Sequence, residues 1–91
     1  MPLVIRQTTV FRRDIKRLKK RGLDLQKLEI LIRLLASEEI LPERYRDHSL
    51  VGNWFGYRDC HIQPDWLLIY KISEDELFLA RTGTHAELFG K

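Results

Sequence analysis

Cysteine occurs once, at Cys60, so an internal disulfide and a multi-cysteine zinc cage are both excluded. A chain built without disulfides suits a reducing compartment. Long apolar runs are missing as well. None approaches the ~20 residues that a membrane span needs, and Met1-Pro2-Leu3-Val4-Ile5-Arg6 does not have the form of a secretory signal. The expectation is a cytoplasmic protein with no membrane partner. No linker, low-complexity stretch or internal repeat interrupts the chain, and 91 residues read as one small domain, 1–91.

Charge is plentiful and unevenly placed. Residues 1–35 carry ten Lys/Arg against three acids, a net of +7; residues 36–91 carry six against ten, a net of −4. The basic half is densest between Arg12 and Arg21, where Asp14 is the only acid. Such a cluster points to a polyanion, nucleic acid or an acidic protein segment, unless it is a solvated helix face.

Leu3 to Gln7 is β-prone and reads as a first strand. Thr8 or Thr9 caps a helix in which Phe11, Ile15 and Leu18 form a narrow apolar stripe, and Gly22 stops it. Asp24 caps a second helix over Leu25–Ala36. Its broad face is Leu25, Leu28, Leu31, Ile32 and Leu35, and Ile30 with Leu34 adds a second strip, the pattern of a helix sandwiched between a sheet and another helix. Residues 38–50 read as a loop. Strands are expected over Trp54–Ile62, Trp66–Ile72 and Leu77–Arg81, joined by the turns Gln63-Pro64-Asp65 and Ser73-Glu74-Asp75. Residues 84–89 form a tail of about one helical turn. The order β-α-α-β-β-β gives an α+β domain, with a helical hairpin on one face of a small antiparallel sheet.

All three histidines, His48, His61 and His85, fall in the C-terminal half. Strand alternation puts Asp59 and His61 on one face, and Lys71 and Arg81 are further polar groups on an otherwise apolar sheet. Asp65 sits at a turn beside His61, and His85 just past the strand bearing Arg81. Cleavage of RNA by its own 2′-hydroxyl needs a base, an acid and a cation for the charged phosphorane. His, Asp and Arg supply these without a metal. Zinc ligation by the histidines with Asp59 or Asp65 is the competing chemistry, but no HxH, HxxxH or HExxH pair occurs. Cys60 and His61 point to opposite faces, which leaves Cys60 as a small buried filler.

Several stretches then resemble one family. Tyr45-Arg46-Asp47-His48-Ser49-Leu50, Gly56-Tyr57-Arg58-Asp59-Cys60-His61, Pro64-Asp65-Trp66 and Arg81-Thr82-Gly83-Thr84-His85-Ala86-Glu87-Leu88-Phe89-Gly90 are similar to the YafQ branch of the RelE/ParE toxin superfamily. The resemblance implies a toxin of a type II toxin–antitoxin pair, acting as a ribosome-dependent mRNA endoribonuclease without a cofactor. The family's active-site pattern falls on His48, Asp59, His61, Asp65, Arg81, His85 and Phe89. Phe89, so close to the C-terminus, reads as a base-stacking platform for the mRNA, unless it is a tail docked onto the sheet. The resemblance implies that helix 1, with Lys16, Arg17, Lys19 and Lys20, faces the ribosomal RNA backbone. Partners implied are a cognate antitoxin, the ribosome and mRNA, and operator DNA only through the antitoxin complex. Two alternatives share the fold: a ParE-like toxin that poisons DNA gyrase without catalysis, and a subunit that acts only with its antitoxin on operator DNA. The retained histidine set argues against the first.

Overall fold

One helical crossover and a meander generate the architecture. The computed structural model describes residues 2–90, so Met1 and Lys91, the ends of the expected 1–91 unit, lie outside the described residues. Strand β1 (Val4–Gln7) leads into helix α1 (Thr9–Lys20) and helix α2 (Leu25–Ala36); β2 (His48–Ser49), β3 (Arg58–Gln63), β4 (Trp66–Ser73) and β5 (Glu76–Gly83) follow, and α3 (His85–Phe89) closes the described chain. The sheet order is β1-β5-β4-β3-β2. β1 runs parallel to β5 and every other pair is antiparallel. A parallel neighbour needs a long connection rather than a hairpin, and the helical hairpin is the first part of it.

Local chemistry sets the helix ends where the sequence indicates. The Thr8 hydroxyl accepts from the Phe11 amide at 3.0 Å and donates to the Ala80 carbonyl at 2.9 Å, so one side chain starts α1 and ties it to β5. The Asp24 carboxylate accepts from the Gln26 amide at 3.0 Å. Gly22, at φ 80°, makes the left-handed turn that ends α1.

The hairpin packs on one sheet face. Phe11, Leu18, Leu28, Leu31 and Leu35 meet Cys60, Trp66, Leu68, Tyr70, Leu77 and Leu79 there, all buried. At about 1.5–3 kcal/mol per large apolar side chain, this layer holds most of the fold's stability. The opposite face carries a smaller cluster, Leu67, Ile69, Ala80 and Leu88, edged by Leu50, Trp54, Tyr57 and Phe89.

Four expectations are corrected. The supposed loop 38–50 contains a 3-10 turn, Glu43–Tyr45, and strand β2, so His48 lies on the sheet. β3 begins at Arg58, because Gly52–Trp54 is a 3-10 turn; Trp54 and Tyr57 therefore share one cluster instead of facing opposite ways. The second apolar strip expected for α2 is only half covered: Leu34 is partly buried against the core, but Ile30 is 54% exposed. Finally, β5 contains a bulge. Ile69 opposes Arg81 while Tyr70 opposes Leu79, so Ala80 is the extra residue. A bulge resets the alternation of faces. Arg81 thereby joins Ile69 on the face away from the helices, rather than following Leu77 and Leu79 into the main core.

Candidate active site

Strand register gathers the polar groups on the face opposite the helices. His48 pairs with Asp59 across β2 and β3, Asp59 with Ile69 across β3 and β4, and Ile69 with Arg81 across β4 and β5. Directly paired residues share a face. One row thus runs His48, Asp59, Ile69, Arg81, and His61 lies in the next row opposite Leu67.

His85 arrives from a different element. Thr84 caps α3 with a capping box: its hydroxyl accepts from the Glu87 amide, and the Glu87 carboxylate accepts from the Thr84 amide at 2.9 Å. This fixes the first helical residue, His85, above the sheet. The ring centroid of His61 lies 5.5 Å from that of His85 and 6.4 Å from that of His48. The structure therefore unites the three histidines of the sequence around His61.

Each outer histidine is oriented through Nδ1. His85 Nδ1 donates to Asp65 Oδ1 at 2.6 Å, and the same oxygen accepts from the His85 amide at 2.9 Å. These two bonds, the backbone one first, hold the Asp65 carboxyl below its ordinary pKa and keep it ionised. His48 Nδ1 donates to the Arg46 carbonyl at 2.8 Å, and Asp59 Oδ1 lies 3.1 Å from that nitrogen. Among the described residues neither ring has a partner at Nε2.

Asp59 is 3% exposed, and its Oδ1 has no well-directed hydrogen bond. Burial raises its pKa, and His48, His61 and His85 oppose the rise only in part. His61 is lowered, first by burial and then by its two imidazole neighbours, against the pull of Asp59. It is a neutral imidazole near pH 7.

Arg81 is not a free cation. Its Nε and Nη2 donate to Asp14 of α1 at 2.8 and 3.0 Å. Asp14 is 1% exposed and also accepts from Arg17 Nη1 at 2.8 Å and the Thr82 amide at 3.1 Å. Burial alone would raise the Asp14 pKa, but the bonds from Arg81, Arg17 and Thr82 outweigh it and hold the carboxyl below its ordinary value. These groups cap the part of β5 that extends past β1, where backbone donors and acceptors would otherwise be unpaired. The guanidinium edge expected to grip phosphate is thus used on Asp14, and Nη1 is what Arg81 has left.

Arg17 likewise departs from the expected RNA-facing group. Besides Asp14, it donates to the Thr82 carbonyl at 3.2 Å and lies 2.7 Å from the Glu87 carboxylate. Arg21 also pairs with Glu87. Lys16, Lys19 and Lys20 remain exposed. Gly83 sits under this bridge: a Cβ there would come within 2.8 Å of Glu87 Oε1 and 2.9 Å of Arg17 Nη2. Sequence reading missed Asp14. Its signal was position, since 14 falls on the same helical stripe as 11, 15 and 18.

Phe89 is half-buried against the Leu67–Ile69 cluster, with its ring centroid 6.5 Å from His85. Cys60 is fully buried on the helix side, where burial pushes its thiol pKa up and removes it from nucleophilic chemistry.

Comparison with known proteins agrees with this fold. The family described as the bacterial YafQ toxin of type II toxin–antitoxin systems matches residues 3–90. The mRNA interferase toxin YafQ of Escherichia coli K12 is 49% identical over 81 residues, 88% of each chain. The toxin in a crystal structure of the E. coli DinJ–YafQ toxin–antitoxin complex superposes with a TM-score of 0.91 at 45% identity, over 99% of this chain and 100% of that one. YafQ from E. coli BL21(DE3) gives a TM-score of 0.92 at 45% identity, over 97% and 99%. Nothing in these relatives' names favours a gyrase poison. The chain belongs to the YafQ family of bacterial type II toxin–antitoxin toxins.

Proposed function

We propose that the chain is an endoribonuclease that cuts mRNA on the ribosome, and that it does so with two imidazole–carboxylate pairs placed either side of His61. That arrangement, His48 with Asp59 and His85 with Asp65 on one sheet face, is the observation that carries the reading. In-line displacement at phosphorus needs a base on the attacking side and an acid on the leaving side. His48 Nε2 takes the 2′-hydroxyl proton, and buried Asp59 faces the imidazolium that results. His85 Nε2, protonated and held by ionised Asp65, donates to the departing 5′-oxygen. His61, neutral and central, hydrogen-bonds a non-bridging oxygen, and Arg81 Nη1 adds charge to the phosphorane. The products are a 2′,3′-cyclic phosphate and a 5′-hydroxyl.

A sulfur leaving group tests the assignment, because a thiolate leaves without a general acid. His85→Ala should lose about 10²-fold or more on an ordinary mRNA and recover most of it on one with a bridging 5′-sulfur at the cut. His48→Ala should lose a similar factor and recover nothing. Equal behaviour of the two variants on the sulfur substrate would reject the roles.

The DinJ–YafQ complex supports a cognate antitoxin as the partner of this chain, with operator DNA reached only through that complex. Exposed Lys16, Lys19 and Lys20 on α1 suit the ribosomal RNA backbone, where charge matters more than sequence. Ribosomes and mRNA place the activity in the cytoplasm, and no described helix is long and apolar enough to cross a membrane.

A further inference from the structure

A recess of about 700 Å³ lies between the 3-10 turn Gly52–Trp54 and helix α3, lined by Val51, Asn53, Trp54, His85, Leu88 and Phe89. None of the proposed chemistry uses Asn53 or Trp54. We propose that this recess is a nucleobase subsite beside the scissile phosphate, and that Asn53 makes it selective among bases. The proposal rests on the RNA-cleaving reading above.

The lining decides the class of ligand. Its one titratable side chain is His85, and it contains no lysine, arginine or carboxylate, so it suits the uncharged base of a nucleotide and not its phosphate. The walls are the surfaces on which bases stack. Tyr57 packs edge-on against the Trp54 ring at 5.2 Å and 84°, which fixes the orientation of the indole. Leu88 is buried beneath, and Phe89 borders the recess next to His85. Val51, 81% exposed, forms its rim. His85 is common to the recess and the imidazole cluster. A base seated here therefore brings its own phosphodiester to the proposed acid. Asn53 supplies the recess with its one side-chain amide, a donor and an acceptor side by side, which reads a base edge of complementary pattern.

The test uses translating purified components and mRNAs that carry each of the four bases in turn at every nucleotide flanking the cut. Primer extension gives initial cleavage rates for the parent and for Asn53→Ala, and thermal melting confirms that both are folded. At one nucleotide, the parent's ratio of best to worst base should shrink about tenfold in the variant. Identical base preferences at every nucleotide would overturn the subsite. If the parent cuts no mRNA at all, the RNA-cleaving reading fails by itself and the subsite is judged by binding. Trp66→Phe leaves Trp54 as the only tryptophan of the chain, and its emission is followed while short single-stranded RNA, or the same backbone without bases, is added. Quenching that requires bases upholds the subsite. Equal quenching by both, or none by either, overturns it.

Discussion

Asp59 shows what one residue contributes and what it costs. Its folded pKa lies above the ordinary carboxylate value because burial disfavours the charge. The folded state therefore binds this proton more readily than the unfolded chain. Stability from it is present below the ordinary pKa of ~3.9 and is lost as pH rises through the folded value. At neutral pH the ionised carboxylate is a net burden on stability, in keeping with the supporting role proposed for it. Asp59→Asn should raise the melting temperature at pH 7 by a few degrees and lower cleavage at least tenfold, since a supporting group of the proposed base is gone. Both are read from one preparation by calorimetry and single-turnover cleavage; a variant less stable than the parent at pH 7 contradicts the burial argument. His61 runs the other way. Its pKa is lowered, so its contribution is present above ~6.5 and disappears as pH falls through the folded value.

At the scale of elements, α1 serves two purposes on two faces. Asp14 and Arg17 look inward to β5 and α3, while Lys16, Lys19 and Lys20 face water. Changing those three lysines to Gln should weaken ribosome co-sedimentation and flatten its dependence on salt, each lost phosphate contact removing roughly one unit of slope. Cleavage at saturating ribosome concentration should stay near the parent's. Unchanged pelleting at every salt concentration would remove α1 from the ribosome-facing surface. The same elements show how much the sequence reveals. Both helices, their caps at Thr8 and Asp24, and the turns around Pro64 and Glu74 were legible, because capping and turn chemistry act within a few residues. β2 was not, since two residues carry no periodicity and are a strand only by pairing with Arg58 and Asp59. The bulge at Ala80 was hidden for a similar reason: it is a property of the register between β4 and β5. The candidate residues His48, Asp59, His61, Asp65 and His85, which the fold brings together, could be named from sequence, but the partner of Arg81 lies 67 residues away and nothing local announces it.

For the whole molecule, the network Asp14–Arg81–Arg17–Glu87 joins the first helix to the last. Asp14→Asn leaves Arg81 and Arg17 without their shared counter-ion. Breaking a buried pair costs about 3–5 kcal/mol; both arginines here are partly solvated, so about 2–3 kcal/mol is expected, roughly 10 °C or more in melting temperature for a chain of this size. The depressed Asp14 pKa sets the pH window: the contribution is complete above ~3.9 and fades as pH falls through the folded value. Parent and variant melting temperatures should converge below that point. A constant gap down to the acid limit would show that the loss is one of packing, not charge.

The close approach at Gly83 bears on how such a toxin is lost. Cells that survive expression of a toxin are selected for disabled copies, and under the proposed mechanism a hit on an imidazole is only one route. Gly83 has an ordinary backbone angle and is needed for room alone, because Arg17 and Glu87 stand within 3 Å of where a side chain would begin. Any single base change that installs even a methyl group there pushes at the bridge that seats α3, and with it His85. The mutational target for escape therefore extends beyond the proposed catalytic groups to a glycine whose one requirement is room.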